Sequence, residues 1–276
     1  MVEKISVILP IYKTPANYIE KSIESVLCQT YDEIELISII DRSNTSNDRS
    51  IEHVLDSYKD DHRLITIFNK NHLGLSESAN VGIATASGQY IARIDGDDIN
   101  SRDRLQRQLE YLRSNKFDLV GSWALIIDES GRVIGSIKGP VLPKNVRKNI
   151  MFHNPFVHSS ILSKKICFRK AGFYSKSFRY SEDYDLIMRI ISAGFQCSNY
   201  PNYLLFLRRP LRPWLPMLKT YLRCKTYGYN YYGFRTSRDK FNMALSFIAV
   251  LIHHRFYYSP TVYSTIKKIL NILFTY

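Results

Sequence analysis

Asp95-Gly96-Asp97-Asp98 places three carboxylates within four residues. On a turn such groups repel one another, and a divalent cation removes the cost of that arrangement. Mg2+ and Mn2+ favour oxygen ligands, commonly one or two carboxylates completed by phosphate oxygens and water. The chemistry this run fits is metal-assisted handling of a phosphate group. A second acidic run, Glu182-Asp183-Tyr184-Asp185, opens a helical pattern, where carboxylates also suit the helix dipole. His153 and His158 flank Asn154-Pro155-Phe156-Val157, and His158 is a candidate contact for an acceptor or a phosphate, with a satisfied structural histidine as the alternative. Arg208 and Arg209 are candidates to close over a diphosphate, since a guanidinium matches phosphate geometry; the alternative is a solvated surface.

The elements around these residues alternate. Residues 5–9 form a short β-branched run stopped by Pro10, and residues 17–29 carry an apolar stripe at helical spacing. Strands follow over 34–40, 64–68 and 90–94, with helices over 48–58, 75–86 and 102–113. Such alternation predicts an α/β fold with a mostly parallel sheet and crossover helices. In open parallel sheets ligands bind beyond the C-terminal ends of the strands. Three polar clusters fall at such ends: Pro10-Ile11-Tyr12, Asp41-Arg42-Ser43-Asn44 and the acidic run at 95–98. From residue 119 the segments shorten, Glu129-Ser130-Gly131-Arg132 reads as a hairpin tip, and a helix is predicted over 183–192.

Charge divides the chain of 276 residues. Residues 201–276 hold twelve Lys and Arg against a single acid, Asp239, whereas the whole chain carries +13. The body is therefore near neutral, and the C-terminal quarter is a basic extension suited to an anionic surface. Residues 1–205 are expected to form the catalytic domain and 206–276 a basic, Tyr-rich helical region. Three prolines between 210 and 216 mark an elbow. Residues 241–252 are apolar but too few for a membrane span, which needs about 20 residues. Residues 263–274 place Ile266, Ile269, Leu270 and Leu273 opposite Lys267 and Lys268, the pattern of a helix lying in a membrane interface, with a helix docked on the domain's own core as the alternative. Cys28, Cys167, Cys197 and Cys224 show no metal-site or disulfide spacing. With no signal-peptide pattern at the N-terminus, the expected location is cytoplasmic, peripheral on the inner face of the cell membrane.

The order of segments resembles glycosyltransferase family 2. The matching motifs are Ser6-Val7-Ile8-Leu9-Pro10-Ile11-Tyr12, Ile23-Glu24-Ser25-Val26-Leu27-Cys28-Gln29-Thr30-Tyr31, Asn80-Val81-Gly82-Ile83-Ala84, Ser87-Gly88-Gln89-Tyr90-Ile91, the acidic run, and Glu182-Asp183-Tyr184-Asp185-Leu186. They cover about residues 4–195. The resemblance implies a GT-A fold and an inverting sugar transfer from a nucleotide-diphosphate donor. It also implies roles. Pro10 and Tyr12 would line the base, and Asp41 would accept a hydrogen bond from it, usually from uracil. Asp95 would lie near ribose and metal, Asp97 would ligate the metal, and Asp183 would be the catalytic base. Glu182, His158, Arg208 and Arg209 remain candidate acceptor or diphosphate contacts. The family's usual Asp-Asp-Gly-Ser after the second strand reads Ile40-Asp41-Arg42-Ser43 here.

The expected cofactor is Mn2+ or Mg2+, and the expected donor a UDP-sugar. The basic tail suggests a lipid-linked sugar diphosphate acceptor at an anionic membrane surface, and the resemblance extends to bacterial O-antigen galactosyltransferases acting on N-acetylglucosamine-diphosphoundecaprenol. Basic residues interleaved with tyrosines also suit a nucleic-acid-binding protein. The near-neutral body and the acidic strand end tell against that partner. A sugar-nucleotide pyrophosphorylase would need a Gly-rich loop after the first strand, where this chain has Pro10-Ile11-Tyr12-Lys13.

Overall fold

The computed structural model describes residues 3–42, 46–151 and 153–208. In chain order the elements are β1 (Ile5–Ile11), α1 (Ala16–Leu27), β2 (Ile34–Ile40), α2 (Ser46–Asp56), β3 (Leu64–Phe68), α3 (Leu75–Thr85), β4 (Tyr90–Arg93) and β5 (Ile99–Asn100). They continue with α4 (Arg104–Ser114), β6 (Leu119–Ile127), β7 (Val133–Ile137), α5 (Pro143–Asn149), β8 (Leu162–Lys164), α6 (Lys165–Ala171), α7 (Glu182–Ser192) and β9 (Cys197–Arg208). A 3-10 turn at His158–Ser160 precedes β8, and another at Lys176–Phe178 precedes α7.

One sheet runs β3-β2-β1-β4-β8-β6-β9-β5, with β7 pairing the later half of β6, beyond the residues that pair with β8. The first four strands are parallel, as the alternating pattern requires. Antiparallel β8 then joins β4 to β6, and β9 lies parallel to β6. Strands β1 and β2 are buried along their whole length, so their sequences are apolar runs rather than alternations.

Each face of the sheet carries its own core. Val7, Leu9 and Ile11 pack with α1, α2 and α4 through Ile19, Ile23, Ile51, Leu105 and Leu109. Ile8, Ile37 and Ile39 pack on the other side with α3, α6 and α7 through Ala79, Ile83, Phe168, Leu186 and Ile190. Each large apolar side chain buried in this way contributes about 1.5–3 kcal/mol. Helix α3 approaches so closely that a Cβ at Gly82 would lie 2.6 Å from Ile39 Cδ1.

Helices expected at 17–29, 48–58, 75–86, 102–113 and 183–192 are present as α1, α2, α3, α4 and α7, with ends displaced by one to a few residues. Strand β9 carries the described body to Arg208, past the expected boundary at 205. The elbow, the basic tail, Arg209 and Cys224 lie outside the described residues, as do Ser43 and Asn44. No helix among the described residues is long and apolar enough to cross a membrane.

Candidate active site

Parallel packing brings the ends of β1, β2 and β4 to one edge. Pro10 stays inside β1, opposite Ile39 and buried. Tyr12 emerges with 42% of its surface exposed, and its ring stacks on His72 at 4.5 Å between centroids. Asp41 lies beneath that shelf. Its Oδ1 accepts from Asn69 Nδ2 at 3.2 Å and from the Leu73 amide at 2.9 Å. Its Oδ2 accepts from the Gly74 amide at 2.8 Å and faces His72 Nδ1 at 2.8 Å. Both oxygens of the carboxylate expected to read the base are thus engaged in building the loop between β3 and α3. Arg42, which departs from the family pattern, turns toward α2, pairing with Glu52 at 3.0 Å and lying over the Phe68 ring.

The acidic turn divides into an outer and an inner part. Asp95 and Asp97 are half-buried, whereas Asp98 is fully buried. The Asp98 amide closes the turn on the Asp95 carbonyl at 3.1 Å. Asp98 accepts from Ser159 Oγ and, at 2.8 Å, from the Arg208 amide. Burial, with Asp95 and Asp97 close by, pushes its carboxyl well above the usual range. Asp95 Oδ1 pairs at 2.7 Å with Arg93, whose side chain is almost wholly buried. Beneath it Arg104 is fully buried, bonded to Gln108 Oε1, to Asn100 Oδ1 and to the Arg93 and Ile161 carbonyls. Two buried cations therefore lie under three carboxylates, offsetting part of the repulsion.

The second acidic run arrives on α7. Asn154 Nδ2 donates to Asp183 Oδ2 at 2.8 Å, and the Phe156 amide bonds Asn154 Oδ1 at 3.1 Å. The loop that holds Asp183 through Asn154 therefore also holds Asp98 through Ser159. Glu182 is buried, and its Oε2 has no hydrogen-bond partner among the described residues. Burial first, then Asp183 and Asp95, raises its pKa to about 7. His158 Nε2 lies 2.7 Å from Tyr174 Oη, and Asn80 of α3 clasps the Tyr174 backbone at 2.9 and 3.0 Å. Burial and then Arg93 lower the His158 pKa, against the pull of Asp183 and Asp95, which favours a neutral ring. Burial likewise raises the Tyr174 hydroxyl.

Arg208, a candidate diphosphate contact, bonds carbonyls of the protein itself. It is buried, with Nε on the Asp97 carbonyl at 3.1 Å and Nη1 on the Asp128 and Glu129 carbonyls at 2.6 and 3.0 Å.

The donor set suits a hard divalent cation completed by substrate. Among the described residues no group of three or more His, Cys, Asp or Glu side chains converges as a metal cage. Two half-buried carboxylates on one turn, with Asp98 withdrawn, are a donor set that a cation bound partly by phosphate oxygens could use. Sequence reasoning missed Arg93, Asn154 and Tyr174. An arginine inside the buried strand before Asp95 was a readable signal, since a buried charge needs a partner; Asn154 and Tyr174 carried none.

The Glycosyl transferase family 2 model matches residues 6–175. An uncharacterised glycosyltransferase of Methanocaldococcus jannaschii is 32% identical over 235 residues, covering 84% of this chain and 78% of the relative. The O-antigen biosynthesis glycosyltransferase WbnJ of Escherichia coli is 32% identical over 199 residues, covering 72% of this chain and 75% of WbnJ. Among solved structures, S. aureus TarS 1-349 in complex with UDP-GlcNAc superposes with a TM-score of 0.67 at 17% identity, over 94% of this chain and 74% of that one. The mannosyltransferase PcManGT from Pyrobaculum calidifontis, in complex with GDP-Man and Mn2+, gives a TM-score of 0.65 at 14% identity, over 98% and 74%. At those identities the structural likeness establishes the fold.

Proposed function

The chain belongs to glycosyltransferase family 2, and on that premise we propose that it is an inverting, divalent-metal-dependent hexosyltransferase using a UDP-sugar. The best candidate donor is UDP-galactose. The best candidate acceptor is a lipid-diphosphate-linked sugar such as N-acetylglucosamine-diphosphoundecaprenol, in O-antigen, lipopolysaccharide or capsule assembly. Similarity to WbnJ supports the pathway class, and the UDP-GlcNAc bound to TarS supports the donor class. The basic tail supports an acceptor carried on an anionic membrane, with the enzyme peripheral on its inner face.

One observation carries the mechanism: a single loop holds Asp183 through Asn154 and Asp98 of the acidic turn through Ser159. This tie supports reading Asp183 as the base and the acidic turn as the diphosphate end of one site. Asp97, supported by Asp95, would hold Mn2+ or Mg2+, which when bound supplies Lewis-acid stabilisation of the departing nucleoside diphosphate. Tyr12 offers its ring to the base. The acceptor hydroxyl attacks the anomeric carbon on the face opposite the diphosphate while the bond from that carbon to the phosphate oxygen breaks. Asp183 takes the hydroxyl proton, and the configuration inverts.

The test is a panel of UDP- and GDP-sugars assayed with a synthetic polyprenyl-diphosphate sugar, with Mn2+, Mg2+ or EDTA. Transfer of one UDP-hexose is expected with either metal and none with EDTA. Full transfer in EDTA would remove the metal from the mechanism.

A further inference from the structure

We propose that Arg208 is a positioning residue for the metal ligand Asp97, fastening the acidic turn to the β6–β7 hairpin so that the ligand is presented before any cation arrives. The proposal deepens the metal-dependent reading above and rests on it. Among the described residues, the polar partners of Arg208 lie on two elements. Its amide donates to Asp98 Oδ1 at 2.8 Å and its Nε to the Asp97 carbonyl at 3.1 Å, so it grips the turn at two consecutive residues. Its Nη1 donates to the carbonyls of Asp128 at 2.6 Å and Glu129 at 3.0 Å, at the tip of the hairpin.

Below, the guanidinium sits 4.1 Å from the centre of the Tyr18 ring, and Tyr18 Oη donates to the Glu129 carbonyl at 3.3 Å. Helix α1, the hairpin and the acidic turn thus meet on one buried side chain. From the opposite side Ser159 Oγ holds the other Asp98 oxygen.

The physical need is plain. Asp95 and Asp97 repel each other on a turn that also carries the buried Asp98 carboxyl, and a turn free to splay would have to be gathered by the cation, which lowers its affinity. A planar guanidinium offers fixed, divergent donors that reach three carbonyls on two elements, and its charge lies beside the turn. An ammonium offers the charge without the fork. Arg208 therefore acts through Asp97 and Asp98, with its fork turned to the protein's own carbonyls.

The experiment uses the full chain and the variants Arg208→Gln and Arg208→Lys. Mn2+ binding is read from the free-Mn2+ electron paramagnetic resonance signal, with and without UDP, and UDP binding in EDTA by calorimetry. In Arg208→Gln the Mn2+ dissociation constant in the presence of UDP is expected to rise about tenfold or more, with Arg208→Lys closer to Gln than to wild type. UDP binding in EDTA should stay within about twofold of wild type in both. If Arg208→Gln does not fold, Tyr18→Leu, which removes the ring beneath the guanidinium, should shift Mn2+ affinity in the same direction by a smaller factor.

Unchanged Mn2+ affinity in these variants would overturn the role of Arg208. So would a parallel loss of UDP binding in EDTA, which would make Arg208 a diphosphate contact instead. Failure of the wild-type protein to bind Mn2+ with either UDP or GDP would overturn the metal-dependent reading itself.

Discussion

Glu182 and Asp183 are adjacent in sequence, yet the protein treats them oppositely. Asp183 is held by Asn154 at 2.8 Å, while Glu182 is buried, with one oxygen unpartnered among the described residues and its pKa raised from 4.5 to about 7. A carboxyl with a higher pKa folded than unfolded favours its protonated form in the native state. The stability it contributes is full below the unfolded value and is lost as pH rises through the folded one. Glu182→Gln should therefore match wild type near pH 4 and exceed it above pH 7 by up to about 3 kcal/mol. Urea melts across that range would show it, and parallel curves for the two proteins would refute it. For Asp183→Asn the expectation is kinetic: a loss in kcat of about 10^2–10^4, with donor affinity near wild type. Full activity would remove Asp183 from the mechanism. The motif around Asp183 was legible from residue order alone. The environment of Glu182 was not, because burial depends on what α7 packs against.

Helix α3 sets how closely two parts of the site approach. Its Gly82 faces Ile8 and Ile39, and its Asn80 clasps Tyr174, the partner of His158. A methyl at residue 82 would lie 2.6 Å from Ile39 Cδ1, the far end of its side chain, and 2.8 Å from Ile8 Cγ2, a branch methyl fixed to Cβ. Gly82→Ala should thus cost about 1–3 kcal/mol through overpacking, read as a lower denaturation midpoint, and a variant as stable as wild type would show that α3 can withdraw freely. Strands and helices through α4 were legible because each is an apolar run or stripe of sufficient length. The short pieces β5, β8, α5 and α6 were not, since two to seven residues show no clear period and take their form from neighbours.

At the scale of the molecule, charge separates a near-neutral body from a C-terminal quarter with twelve bases and one acid. The full chain should sediment with vesicles rich in anionic phospholipid at low salt, ignore zwitterionic ones, and be released at about 0.5 M salt, where screening shortens the electrostatic reach to a few ångströms. Sedimentation indifferent to lipid charge would count against a membrane-docking tail. By itself the sequence determined the α/β alternation, the family, the strand ends that carry the site and the charge asymmetry, because these depend on local period, residue order and composition. Tertiary structure alone decided how the acidic residues divide their work. Asp98 is withdrawn and clamped by Ser159 and Arg208, Asp41 holds the loop between β3 and α3, and Arg208 grips the turn. The reason is physical: a side chain's role follows from which donors surround it, and here those donors lie from 28 to 111 residues away along the chain.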